Sequence, residues 1–498
     1  MNITAKQSRW WLRILCVALV TCVFAASCGE DDDAAEEPQT APSATQAPAG
    51  EPQEVDDAEA DAPEAVDEEQ PAEEPPAAEE PQTITVAFNA AGDFPEPKTT
   101  LNAAKDSFEA ANPGVTVELV QEVAQDADFH TKLQLQLSSG SDVPDVMYYA
   151  PSWIAGDAAA GYLSPLDDDL AGWDEWASAF PQAVRDGAVN DDGHIYGVPL
   201  SSNSIGIWYN RNVFAEAGLP EDWQPESWAD LRAAAETIQA ALPGVIPAHF
   251  YVGKASGPTD AILKTFQPLL YGTGDTLFDF DTGLWQPAGD GFIDTMTFIS
   301  DHYADGLAAP EEDVLSPNIW AQLGPWMQGN QLGFAVDGNW MSFAWVEGGP
   351  NEWPEWGERL GVAAVPNQDG DGFTTMAVRG WTLARAAESD SPDLAFEFIK
   401  HVASKDLALG YSVNSGQLAV RSDVLTDPAY AERPTVPEFS ALLEYAAYVP
   451  QTEENAKVEL LIGELVEAVA LGAMTPQEAA DAYNSQMEDL VGSGLYAG

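Results

Sequence analysis

Thr83-Ile-Thr-Val-Ala-Phe88, Val115-Thr-Val-Glu-Leu-Val120 and Asp145-Val-Met-Tyr-Tyr149 together decide the fold class. Each run is short, rich in β-branched or aromatic residues and either alternating or continuously apolar, as strands are. Residues 99–111 and 129–139 between them carry helical spacing, and Asn112-Pro113-Gly114 marks the turn that ends the first of these helices. Strand, helix, strand, helix, strand at this spacing predicts parallel pairing and an α/β architecture. In an open parallel sheet the ligand lies beyond the carboxyl ends of the strands. The expected binding loops are therefore residues 89–94 and 148–153.

Upstream of this core the composition changes twice. Residues 1–13 carry Lys6, Arg9 and Arg13 with no acid, residues 14–26 are apolar, and Ala25-Ala26-Ser27 leads into Cys28. This reads as an export signal with a small-residue cleavage site. Cys16 and Cys22 would leave with it, so the mature chain would keep one thiol, at its new N-terminus, which excludes a disulfide framework. The spacing resembles the bacterial lipobox, whose cysteine becomes a lipid anchor, although Ala25 stands where a larger aliphatic is usual. An uncleaved anchor is the competing reading, for which residues 14–26 are short against the roughly 20 apolar residues of a membrane span. Residues 29–82 are Ala, Pro, Glu, Asp and Gln with no Lys or Arg, a composition with nothing to bury. An extended, self-repelling tether is expected there.

The remaining part, residues 83–498, exceeds what one small core organises, so two lobes are expected. It carries 62 acids against 16 bases. A field of that sign repels nucleic acid and anionic solutes and keeps a protein soluble, without specifying its fold. It is also an aromatic-rich region, holding 14 of the 16 tryptophans.

The motifs of common enzymes are missing. The sequence has no Gly-x-Ser-x-Gly, no His-Glu-x-x-His and no glycine-rich phosphate loop with lysine. His130, His194, His249, His302 and His401 lack metal-ligand spacing, and Asp369-Gly-Asp371-Gly372 reads as a turn, since the later ligands of a calcium loop are absent. A carboxylate pair for glycoside hydrolysis is defined by its separation, which sequence does not give. Neither catalysis, metal nor cofactor is expected, with a secreted carbohydrate-active enzyme as the alternative.

From residue 83 to residue 490 the chain resembles, in order, the extracellular solute-binding proteins of bacterial ABC importers, in their sugar-binding, maltose-binding-protein-like branch. The resemblance is carried by Phe108-Glu-Ala-Ala-Asn-Pro-Gly-Val-Thr-Val117, by Pro144-Asp-Val-Met-Tyr-Tyr149 with Gly161-Tyr-Leu-Ser-Pro-Leu166, and most strongly by Gly193-His-Ile-Tyr-Gly-Val-Pro199 with Ile207-Trp-Tyr-Asn210. Trp228-Ala-Asp-Leu231, Met327-Gln-Gly-Asn-Gln-Leu-Gly-Phe-Ala-Val-Asp-Gly-Asn-Trp340, Gly361-Val-Ala-Ala-Val-Pro366, Arg379-Gly-Trp381 and Asp393-Leu-Ala-Phe-Glu-Phe-Ile399 continue it.

The resemblance implies a two-lobed periplasmic-binding-protein-like fold of type II, with three crossovers and a ligand cleft between lobes that closes by a hinge. One lobe would hold about 83–200 and 378–424, the other about 201–377 and 425–498, with hinges near 199–203, 376–380 and 423–427. It also implies a monomer that delivers a carbohydrate to permease subunits driven by a cytoplasmic ATPase, although other solutes occur in the family.

A sugar presents C–H faces and hydroxyl edges, so a site for it needs aromatic plates and planar polar side chains. The resemblance implies Trp340 as a stacking plate, with Tyr149 and Trp153 after the third strand and Trp381 as a further plate. Ser152 and Trp153 stand where relatives carry acidic and basic partners, which leaves the particular sugar open. Asn89 and Asp93, Asn203, and Asp337 with Asn339 form the polar set; each type is equally suited to turns and caps. Arg379 would fork an anionic solute if it faced the cleft, or pair with a neighbouring acid as a structural group.

Overall fold

The computed structural model describes residues 81–498 except 91–95, 125, 191 and 451. The export signal, Cys28, the tether and Asp93 lie outside the described residues, and of Arg379 only the backbone is described.

Strand β1 (Gln82–Asn89) runs into helix α1 (Glu96–Ala111), strand β2 (Val115–Glu122), helix α2 (Asp126–Ser139) and strand β3 (Val146–Tyr149). Both β2 and β3 pair with β1 in parallel, in the arrangement expected from the sequence. The cause is visible in burial: Ile84, Val86 and Phe88 of β1 face Leu101, Ala104 and Phe108 of α1 in one apolar cluster. Helix α3 (Pro151–Ala159) follows β3, with proline in its first turn, where the missing N–H costs no bond.

Strand β4 (Gly197–Pro199) ends the first run of this sheet, and β5 (Ser202–Asn210) opens a second one. The second sheet gathers β5, β6 (Ile246–His249), β7 (Leu332–Gly338), β8 (Leu360–Ala363), β9 (Val365–Pro366) and β10 (Phe373–Arg379). After β10 the chain returns to the first sheet as β11 (Thr382–Arg385), giving the order β2-β1-β3-β11-β4 there and β9-β10-β5-β7-β6 in the second sheet, where β8 also pairs with β5. Residues 203–210 of β5 are buried throughout, as a central strand covered on both faces should be. The Asp369-Gly-Asp-Gly motif is the β9–β10 turn: the Asn367 N–H donates to the Gly372 carbonyl (2.9 Å) and Gly370 adopts φ 78°.

The passages between the sheets are bonded to one another. Leu200 N–H donates to the Trp381 carbonyl (2.9 Å), Gly380 N–H to the Ser201 carbonyl (3.1 Å), and Ser202 N–H to the Leu418 carbonyl (2.8 Å). Glycine is required at position 380 by proximity: a Cβ there would lie 2.0 Å from Ser201 Oγ and 2.6 Å from the Ser201 carbonyl carbon. Gly380→Ala is therefore expected to force the two passages apart and lower stability by about 1–3 kcal/mol, the usual cost of overpacking. Urea unfolding of the variant checks this. Residues 423–427, expected near the third hinge, begin in the short helix Ser422–Leu425, while the segment bonded to the first passage is at Leu418.

Candidate functional site

The carboxyl ends of β1 and β3 carry one half of the site. Asn89 closes β1, and its Nδ2 donates to Asp126 Oδ1 (2.6 Å) at the start of α2. The Asn89 Oδ1 is buried and has no hydrogen-bond partner among the described residues. Asp126 is exposed as a residue, yet enough protein surrounds its carboxyl that burial raises it to about 6, opposed by the Asn89 bond and reinforced by the charge of Asp260. At the start of α1, Glu96 is buried with Thr100 Oγ1 donating to it (2.7 Å), and burial pushes it up to about 7.

An acid raised in the folded state holds its proton where the unfolded chain has released it, so folding stability falls as pH rises from about 4.5 to about 7. Glu96→Gln should remove that decline, making the protein about 1–3 kcal/mol more stable than wild type at pH 8 with the gap closing near pH 4.5. Denaturant midpoints at the two pH values check it.

Aromatic rings form the wall beside these acids. Trp381 stacks on Tyr148 (4.5 Å, 13°) and meets Trp153 edge-on (5.7 Å), and Trp153 stacks on His130 (4.4 Å, 5°). Tyr148 is held from behind by its hydroxyl contact with Tyr411 (2.6 Å). Tyr149 is fully buried and donates its hydroxyl to Asp157, which also takes His130 Nε2 (2.6 Å) and Gln134 Nε2 (2.8 Å). Burial alone would raise Asp157, but these three hydrogen bonds hold it below the usual carboxylate range. The cluster fixes the His130 ring that backs Trp153.

The second half lies at the carboxyl ends of β6 and β7, which are parallel. Asp337, near the end of β7, accepts from Tyr251 (2.8 Å) and pairs with Lys264 (3.2 Å), while Lys264 also pairs with Asp260 (3.1 Å). Trp340 is half-buried just beyond, with the Lys264 ammonium 5.4 Å from its ring centroid. Its ring folds back over Gly338, where a Cβ would meet it at 2.2 Å, which accounts for glycine in Asp337-Gly-Asn-Trp340. Lys264, Asp337 and Trp340 line a cavity together with Trp320, Pro350 and Asn351.

Several expected site residues have their polar groups committed to the protein. Asn339 is buried, accepting from Ser204 N–H (2.8 Å) and donating to the Gly416 carbonyl (2.8 Å) and to Asn203 Oδ1 (3.2 Å). Asn203 and Asn339 thus tie β5 to the passage at residue 416. Asp337 is spent on Lys264 and Tyr251. Of the expected set, Asn89, Trp153 and Trp381 gather on one side of the site and Trp340 on the other. Sequence reasoning missed Asp126, Glu96, Tyr251, Asp260 and Lys264. The available signal was Lys264, a lone base inside the apolar run Ala261-Ile-Leu-Lys-Thr-Phe266.

Two α/β sheets joined by bonded passages, with aromatic and acidic side chains at the carboxyl ends of their strands, define the two-lobed solute-binding class of proteins. Comparison with known proteins agrees. Residues 91–408 match the family described as bacterial extracellular solute-binding protein, and this chain belongs to that family. The maltotriose-binding protein of Pyrococcus abyssi is 24% identical over 360 residues, covering 69% of this chain and 68% of that protein. Among solved structures, the GacH receptor of Streptomyces glaucescens, determined unliganded and with acarbose, aligns at a TM-score of 0.70 and 24% identity over 83% of this chain and 99% of its own. Maltose-bound T. maritima MalE3 aligns at 0.71 and 20% identity over 82% of this chain and 100% of its own.

Proposed function

We propose that this chain is the substrate-binding lipoprotein of an ABC importer, capturing a sugar or oligosaccharide by hinge closure and handing it to membrane permease subunits served by a cytoplasmic ATPase. The observation that carries the reading is that Trp340 lies beside the Lys264 ammonium that pairs with Asp260, while Trp381 meets Trp153 and Asn89 bonds Asp126 near strand carboxyl ends, with Asp260 close enough to Asp126 for its charge to be felt there. Aromatic faces suit C–H faces, and ionised carboxylates accept from hydroxyls in charge-assisted hydrogen bonds. The unpartnered Asn89 Oδ1 offers one more acceptor.

In this reading residues 83–200 with 378–424 form one lobe and residues 201–377 with 425–498 the other. Contacts from both lobes exist only when the cleft is closed, so the solute shifts the equilibrium toward closure. The chain is a monomer, performs no catalysis and needs no cofactor. Cys28 is its lipid anchor and residues 29–82 its tether. Cys28→Ser is expected to release the protein into the medium or leave its signal uncleaved, and unchanged lipid labelling would defeat the anchor.

A thermal-shift screen of the mature chain against sugars, polyols, uronic acids and amino acids tests the function. Saturable stabilisation by neutral carbohydrates is expected. Stabilisation by amino acids or other non-carbohydrate solutes alone would instead favour a receptor of the same fold for a different cargo.

A further inference from the structure

We propose that Lys264 is a positioning residue of the solute site, a buried ammonium that holds the Asp260 carboxylate as an acceptor toward the cleft and fixes the rings of Tyr251 and Trp340 beside it. This deepens the carbohydrate-receptor reading and rests on it.

The placement of Lys264 has a local cause. Pro258–Ala261, the π-helical turn Ile262–Phe266 and Gln267–Tyr271 follow one another without a break in helical backbone. Pro268 within this run has no N–H, and its ring collides with the carbonyl four residues earlier, which belongs to Lys264. A widened turn relieves that collision, and such turns are frequent at functional sites. The turn buries the lysine, whose side chain is only 6% exposed.

Burial of a lone ammonium is costly, so its surroundings must compensate. The ammonium lies 3.1 Å from Asp260, 3.2 Å from Asp337 and 4.0 Å from the centre of the Tyr251 ring. These contacts divide by exposure. The Asp337 side chain is 2% exposed and serves inward, whereas that of Asp260 is 25% exposed. Asp260 is also close enough to Asp126, on the other half of the site, for its charge to raise that carboxyl. Lys264 thus joins a buried carboxylate to the more exposed one of the pair, whose charge is felt at Asp126.

Its charge sets what Asp260 can do. Burial raises the Asp260 carboxyl and Asp337 raises it further, while Lys264 opposes both. Burial alone would depress Lys264, but the two carboxylates hold it above its ordinary value. Among the described residues, the other groups facing this cluster are Tyr251, Asp126 across the site, and the buried His249, which burial and the Lys264 charge hold neutral down to about 3. Without the ammonium, Asp260 and Asp337 would face each other uncompensated, and Asp260 would take up a proton at higher pH. A protonated carboxyl loses the charge-assisted bonds it offers to hydroxyls.

The test is isotope-edited NMR titration of aspartate carboxyls in the mature full chain, with Asp260 and Asp126 assigned through Asp260→Asn and Asp126→Asn. In Lys264→Met the Asp260 midpoint should rise by about one pH unit or more, as loss of a close opposite charge dictates, and Lys264→Arg should return it toward wild type. A lower melting temperature with an unmoved midpoint would assign Lys264 a purely structural role and overturn the proposal. Should Lys264→Met fail to fold, Lys264→Gln is titrated in its place, with the same rise of the Asp260 midpoint expected and an unmoved midpoint overturning the proposal. With maltotriose as probe, Lys264→Met should lose about tenfold or more in affinity at pH 7, as loss of a charge-assisted contact implies. Failure of wild type to bind any carbohydrate in the thermal-shift screen would count against the receptor reading, while the ligand-free titration still judges Lys264.

Discussion

Trp340→Ala should weaken binding of the cleft's solute by about 30- to 150-fold, the 2–3 kcal/mol that loss of a central aromatic anchor costs, while the chain still folds. Trp340 is half-buried and lines a cavity, so part of it is accessible to a ligand. Its position is set by two neighbours, the bare backbone of Gly338 and the Lys264 ammonium. The plate is therefore rigid before solute arrives, and little ordering cost reduces its contribution. Far-UV circular dichroism should match wild type, because the strand beneath it, β7, is held by pairing to β5 and β6. Calorimetric titration measures the loss. Unchanged affinity in a folded variant would remove Trp340 from the site.

Asp337→Ala should have the largest effect on stability, a loss of about 3–5 kcal/mol, as expected when one member of a buried ion pair is removed. The carboxylate is 1% exposed as a residue and serves Lys264, the Tyr251 hydroxyl and the Gly338 N–H (2.7 Å). Its removal strands a buried phenol and leaves the ammonium with Asp260 alone. Urea unfolding provides the number, and a loss below about 1 kcal/mol would mean that water or rearrangement replaces the carboxylate. The expected site residue Asp337 thus has its oxygens bonded to protein.

The sheet-forming runs were legible because local pattern and tertiary burial agree. The alternation at residues 83–88 and the apolar spacing of residues 101, 104 and 108 point the same residues into one core. The placement of Trp153, Trp340 and Trp381 just after strand ends was legible too. The acids were harder to find. Reading the second helix from residue 129 omitted its first turn, and with it Asp126, because polar residues at a helix start carry no apolar signal. The Lys264 cluster unites residues 251, 260, 264 and 337, whose meeting is a product of topology that no local spacing encodes. Asn339 shows the converse: an asparagine beside an expected stacking tryptophan reads as a ligand contact, yet its carboxamide is bonded to Ser204 and Gly416. Asparagine suits either task, and its partners lie 135 and 77 residues away.

Native mass spectrometry of the mature chain with a mixture of neutral oligosaccharides tests the central claim most directly, because it reads occupancy and chemistry together. The account predicts a saturable mass increase of one intact oligosaccharide per chain, lost in Trp340→Ala, with the free oligosaccharides unchanged in length. Shortened oligosaccharides in the mixture, or an unchanged protein mass at every concentration, would contradict it.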